Sequence, residues 1–250
     1  MVDRQHWEQW QRSWDRQQQW YLPDREERFR VMIDLVEAVA GPAPRVLDLA
    51  CGTGSITERL FARLPGATSV GVDQDPALMT IARGVLGEDE RFTLVTADLK
   101  DPQWARALPA GPFDAVVTAT ALHWLPGADL IRLFGDLAGL VRPGGVFLNA
   151  DHMPEPTVPL LNAAERALRH GRQEQEKAGG VLDWEAWWAA AAADPLLADQ
   201  VAARHAIYGS HADGESHPVG WHTEQLVAAG FAEAGVAWRS VADALVAAVR

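Results

Sequence analysis

The chain has 250 residues and a single cysteine, Cys51, which excludes an internal disulfide framework and fits a reducing compartment. Its 48% hydrophobic and 22% charged residues are the balance of an ordinary soluble globular protein with one sizeable core. A formal net charge of −12 argues against a sequence-independent grip on nucleic-acid phosphates, and no apolar run approaches the roughly 20 residues of a membrane span. The N-terminus has no apolar signal region, so a cytoplasmic location is expected, and the Ala/Gly/Arg-rich usage suggests a bacterial source.

In chain order, the first element is an arm over residues 1–30. Within HWEQWQRSWDRQQQWY (6–21), Trp7, Trp10 and Trp14 stand at i, i+3 and i+7, one face of a helix whose other positions are polar. That face suits docking on the domain. Its polar side is not basic enough for a membrane anchor. Five short runs then read as buried strands bounded by Gly, Pro or Asp: RVLDLA (45–50), SVGVD (69–73), FTLVTAD (92–98), FDAVVTA (113–119) and GGVFLNA (144–150). Helical patterns such as GSITERLFARL (54–64) and PALMTIARGVL (76–86) separate them. The alternation predicts a parallel sheet with helices on both faces and a ligand site beyond the carboxyl ends of the strands. Residues 153–215 are too long for a connection and read as a helical insertion over the ligand edge, with Trp184, Trp187 and Trp188 on one packing face. After GWHTEQLVAAGF (220–231), two final strands, EAGVAWRSV and DALVAAVR, are joined too closely for a parallel crossover and are expected to pair antiparallel.

The strongest chemical signal is VLDLACGTGS (46–55): a strand ending in an acid, then a glycine-rich turn opening a helix. Ala50, Gly52 and Gly54 do not give the dinucleotide pattern, and Asp48 would repel a pyrophosphate but attract an ammonium, so a nicotinamide oxidoreductase is disfavoured. Asp73 ends the second strand, placed to accept both hydroxyls of a ribose, and Asp98 in TADL could accept from an adenine amino group. An acid each for ammonium, ribose and adenine describes S-adenosylmethionine.

DLACGTG, the acid ending strand two, AD after strand three, FDAVVTATALHW and LVRPGG together resemble the class I S-adenosylmethionine-dependent methyltransferases, over roughly residues 30–150 and 220–250. The ALHW segment also resembles small-acid methyltransferases of the trans-aconitate type. The resemblance implies a Rossmann-like, seven-stranded, mostly parallel sheet with an antiparallel last strand. It implies that Asp48, Ala50 and Gly52 surround the methionine moiety, with Asp73 on the ribose and Gln74, Asp98 and Leu99 around the adenine. Thr118 and Ala119 would meet the ammonium through backbone carbonyls. In relatives such arms fold over the cofactor pocket, which would bring Trp14, Trp20, Tyr21 and Arg28 toward the acceptor. The expected organisation is an aromatic helical lid (1–30), a cofactor-binding core (31–152 and 216–250) and a helical insertion over the substrate site (153–215).

His123, just beyond strand four, is the candidate base or substrate orienter; Trp124 and His152 are candidate pocket residues. Cys51 reads as a small buried turn residue. His205, His211, His217 and His222 match no compact ligand spacing, so no metal is expected. The expected partner is a small-molecule acceptor, with no nucleic acid and no membrane, on a monomer or homodimer. Methyl transfer to oxygen is expected; transfer to nitrogen or carbon, or a cyclisation or elimination on the same fold, stays open.

Overall fold

The computed structural model describes residues 3–22, 24–209 and 214–250; His211 lies outside the described residues. Two helices, α1 (Arg4–Tyr21) and α2 (Arg25–Ala40), precede the sheet. Then follow β1 (Arg45–Leu49), α3 (Ser55–Arg63), β2 (Thr68–Asp73), α4 (Pro76–Leu86), β3 (Phe92–Thr96), β4 (Phe113–Ala119), α5 (Gly127–Leu140) and β5 (Val141–His152). The insertion forms α6 (Pro159–Ala178), α7 (Trp184–Ala193) and α8 (Ala198–Tyr208); α9 (Val219–Ala228), β6 (Glu233–Arg239) and β7 (Asp243–Val249) complete the fold.

The strands make one seven-stranded sheet in the order β3-β2-β1-β4-β5-β7-β6. β1 to β5 pair in parallel, while β7 runs antiparallel to both β5 and β6. The short β6–β7 connection permits only the antiparallel pairing that the sequence suggests. Chain order reverses beside β1, between β2 and β4, which opens a crevice at the carboxyl ends of those strands.

Strand side chains alternate between two apolar layers. Val46, Ala115, Val117 and Leu148 face α2, α3 and α4; Leu47, Leu49, Val116 and Phe147 face α5 and α9. The arm's rings join the first layer. Trp7 and Trp14 are buried there with Trp187 and Trp188 of α7. Trp14 lies 4.9 Å from Trp187, 5.9 Å from Trp184 and 6.0 Å from Trp188 between ring centroids. Trp7 packs over Gly84 of α4, where a Cβ would run into its indole. Each such ring removes roughly 150–250 Å² from water, about 4–6 kcal/mol of gross hydrophobic stabilisation. Arm and insertion are therefore parts of one core.

Candidate cofactor and acceptor site

The crevice is built around the turn after β1. Ala50, Gly52 and Gly54 all adopt positive φ (55°, 54° and 79°), and Gly54 leads directly into α3. Its positive φ favours glycine at position 54, and a Cβ there would press on the end of the Leu86 side chain. Asp48 is buried beneath the turn. Its Oδ2 accepts from Thr57 Oγ1 (2.7 Å) and Thr57 N (3.2 Å), while Oδ1 has no donor among the described residues. Burial pushes its carboxyl up to about 7. Burial likewise raises the Cys51 thiol well above its ordinary value, which suits a packed turn residue and not a thiolate nucleophile.

Asp73 knits the turn to β2. Its Oδ2 accepts from Gly52 N at 2.7 Å, and its Oδ1 accepts from Gln74 N (2.7 Å) and Asp75 N (2.8 Å). Burial outweighs those bonds and raises it to about 6. Asp98 accepts from Lys100 N at 2.9 Å, next to buried Leu99, so both stand at the end of β3.

At the other end of the crevice, β4 ends at Thr118 and Ala119, and a short 3-10 turn, Leu122–Trp124, presents His123. His123 Nδ1 lies 2.6 Å from Asp151 Oδ1, and its backbone N–H donates to Asp151 Oδ2 at 3.1 Å. Asp151 is buried at the end of β5. The contact orders the ring: Nδ1–H donates to the carboxylate, and Nε2 has no partner among the described residues. Burial works against the imidazolium, but the Asp151 charge and hydrogen bond win and His123 titrates above its ordinary value.

A parallel pair stands beside it. His152 Nδ1 lies 2.6 Å from Asp243 Oδ1, and the two imidazole centroids are 5.3 Å apart. Asp243 Oδ2 accepts from Arg28 (2.8 Å) and Arg169 of α6 (3.0 Å); against burial, the His152 hydrogen bond first and then the charges of Arg28, His152 and Arg169 hold its carboxyl at about 2. Arg28 is buried with its guanidinium 4.7 Å over Trp238, and its Nε and Nη1 have no acceptor among the described residues. Trp20 is buried and stacked on Tyr21 at 5.6 Å, Tyr21 reaches α6 and α7 by accepting from Arg169 and Trp184 N, and Trp124 is 41% exposed beside His123.

The structure thus gathers Asp48, Ala50, Gly52, Gly54, Asp73 and Gln74 around one turn, and His123 and His152 on two neighbouring carboxylates. Trp14 lies in the aromatic cluster with α7, next to Asp15, which accepts from Ser55 of the turn. Sequence reading missed four polar residues. Asp151 and Asp243 orient the histidines; Gln11 and Asp15 of α1 clasp the glycine turn, through Gln11 Nε2 to Thr53 O (2.9 Å) and Ser55 Oγ to Asp15 (2.6 Å). Asp151 was within reach, since it sits between a Val-rich strand and His152. The other three carry no local signal. Among the described residues no group of three or more His, Cys, Asp or Glu could hold a metal ion. His217 stacks on Trp221, and burial lowers His222 to about 4.

A family model described as a methyltransferase domain matches residues 47–147, the segment from β1 to β5. The trans-aconitate 2-methyltransferase of Azoarcus sp. (strain BH72) is 38% identical over 154 residues, 60% of this chain and 55% of the relative. That of Methylobacterium radiotolerans is 33% identical over 184 residues, 72% of this chain and 60% of the relative. These matches support a class I S-adenosylmethionine-dependent methyltransferase domain in this chain. It spans between half and two thirds of the length of these curated relatives. Solved structures share the methyltransferase fold. An O-methyltransferase family protein from Burkholderia thailandensis superposes with a TM-score of 0.56 at 23% identity, covering 88% of this chain and 55% of that one. Human N-acetylserotonin methyltransferase gives 0.58 at 14% identity, covering 97% and 56%.

S-adenosylmethionine is the cofactor of this methyltransferase family, and the residues of the crevice fit it. The unpartnered Oδ1 of Asp48 is an acceptor waiting for a cation. Asp73 keeps one lone-pair site on Oδ2 beyond its three backbone donors, free to accept from a ribose hydroxyl. Among the described residues no helix is long and apolar enough to cross a membrane.

Proposed function

We propose that the chain transfers the methyl group of S-adenosylmethionine to an oxygen of a small-molecule acceptor in the cytoplasm, with His123 as the residue that meets the acceptor. The carrying observation is the His123–Asp151 contact of 2.6 Å beside the end of β4, which leaves Nε2 unpartnered among the described residues. Asp48, Ala50, Gly52 and Gly54 serve the amino-acid end of the cofactor, with Thr118 and Ala119 across from them. Asp73 and Gln74 serve the ribose, and Asp98 and Leu99 the adenine. When bound, the cofactor supplies a methyl group on a sulfonium whose leaving group is already a neutral thioether. The protein therefore has two tasks, to align the acceptor and to keep water out. Trp20, Tyr21 and Trp124 supply aromatic surface for the second.

His123 serves two kinds of oxygen. From a hydroxyl, Nε2 takes the proton, and Asp151 stabilises the resulting imidazolium. A carboxylate has no proton to give up, and the protonated ring then holds it by a charge-assisted hydrogen bond. The curated relatives are named for trans-aconitate, so trans-aconitate is the first acceptor to test. The protein is incubated with methyl-labelled S-adenosylmethionine and a panel of carboxylates and hydroxylated metabolites. Label in an ester or ether supports the reading. Label only on nitrogen or carbon, or turnover without transfer of label, defeats it.

A further inference from the structure

The insertion reaches the adenosine end of the crevice through one buried ion pair. Asp75, two residues beyond Asp73, caps α4 with Oδ1, accepting from Ala77 N (2.9 Å) and Leu78 N (3.1 Å). Its own N–H donates to Asp73. Its Oδ2 accepts from Arg204 Nε of α8 at 2.7 Å, 129 residues along the chain, and both partners are buried (3% and 8% exposed). The Arg204 guanidinium lies 4.0 Å over Trp188, 4.9 Å over Tyr208 and 5.6 Å over Trp184. Tyr208 is the last residue of α8, under the Arg204 guanidinium that pairs with Asp75, one residue from Gln74. Burial and the nearby charges of Asp73 and Asp75 raise its hydroxyl above the ordinary tyrosine value. Between α7 and α8 lies an open cleft of about 310 Å³, lined by Trp184, Trp188, Arg204 and His205.

A buried ion pair is a poor device for stability alone, because desolvation cancels most of its attraction; an apolar pair would hold α8 as well. What the pair adds is position. It fixes the end of α8 against the loop that carries Asp73 and Gln74. Resting on the S-adenosylmethionine reading of the site, we propose that α8 is the outer wall of the adenosine end, with Tyr208 beside the nucleoside and the Arg204–Asp75 pair holding it closed. Cofactor exchange then requires α8 to lift.

The test is calorimetric titration with S-adenosylhomocysteine and with 5′-methylthioadenosine, which keeps the adenosine and lacks the amino acid, plus stopped-flow release rates. The proteins are wild type, Tyr208→Phe, Tyr208→Ala and Arg204→Met, each checked by melting for a folded state. Losing the wall or its clamp should weaken both ligands about tenfold in Tyr208→Ala and Arg204→Met, mainly through faster release, and about threefold in Tyr208→Phe. Folded Tyr208 variants that match wild type within about twofold, with a wild type that binds both ligands, overturn the assignment of α8 and leave the cofactor reading standing. Weakening confined to S-adenosylhomocysteine also overturns it, since the effect would lie at the amino-acid end. A wild type that binds neither ligand defeats the cofactor reading, and the wall with it.

Discussion

Asp48→Asn tests the centre of the site with almost no change of shape. The amide oxygen can replace Oδ2 as acceptor for Thr57 N and Oγ1, so the turn keeps its bonds. The amide nitrogen then occupies the place of the unpartnered Oδ1. In the cofactor-free protein, burial raises Asp48 from 3.8 to about 7. The folded state therefore binds a proton more readily than the unfolded chain, and this residue's contribution to stability falls as pH rises between about 4 and 7. Three pKa units at about 1.4 kcal/mol each give roughly 4 kcal/mol as the most the buried charge costs at pH 8. Allowing for burial of the amide, Asn should gain about 1–3 kcal/mol at pH 8, or roughly 2–10 °C in Tm. At pH 5, where Asp48 is already protonated in the free fold, the gain should vanish. S-adenosylhomocysteine should behave oppositely: losing a charge-assisted bond of about 1.5–3 kcal/mol weakens its binding roughly ten- to hundredfold. Wild-type affinity should itself rise as pH increases through 7, because an ammonium partner favours the ionised carboxylate. Thermal melts at both pH values and calorimetric titration read all of this. A mutant less stable at pH 8, a stability difference that ignores pH, or unchanged affinity would refute the reasoning.

Turnover of a hydroxyl acceptor should rise with pH through a value above 6.5, the ordinary histidine value, because Asp151 raises His123 and only the neutral ring accepts a proton. Asp151→Asn should move that profile to lower pH and reduce kcat, whereas His123→Ala with wild-type kcat at saturating acceptor would remove His123 as the base. Asp243→Asn strands the buried Arg28 guanidinium and should cost about 3–5 kcal/mol, seen as a Tm fall of roughly 10 °C. In the wild type the Asp243 contribution is present above its unfolded value near 3.8 and is lost as pH falls toward 2, which acid titration by circular dichroism would follow. Gly84→Ala in α4 should lower Tm even though alanine is the better helix former by about 1 kcal/mol, because the new methyl overlaps the Trp7 indole; an unchanged or higher Tm would mean the arm yields easily.

The sheet was legible because its signals are local. Val- and Leu-rich runs closed by Asp or Gly mark β1 to β5, and the closeness of the last two strands implies that β7 runs backwards. The acids at strand ends were legible for the same reason, since chain order alone puts Asp48, Asp73 and Asp98 at one edge. The orienting partners were not. His123 meets Asp151 across 28 residues, His152 meets Asp243 across 91, and Arg204 meets Asp75 across 129. No periodicity encodes such pairs; they exist only once β5 lies beside β7 and α8 on α4. Trp14 teaches the same lesson from the apolar side. Its helical spacing gave the right face but could not say that α7 would cover it.

That shared aromatic core has a consequence for how the chain is made. Trp14 leaves the ribosome 170 residues before Trp184, the first of its partners on α7. At about 5–20 residues per second, the ring waits roughly 10–35 s for its partner, on a nascent chain whose sheet also lacks β6 and β7. During synthesis the arm is an adhesive apolar ridge with nowhere to dock fully. The polar Gln, Arg and Asp residues on its other side keep α1 in solution until α7 arrives to cover it.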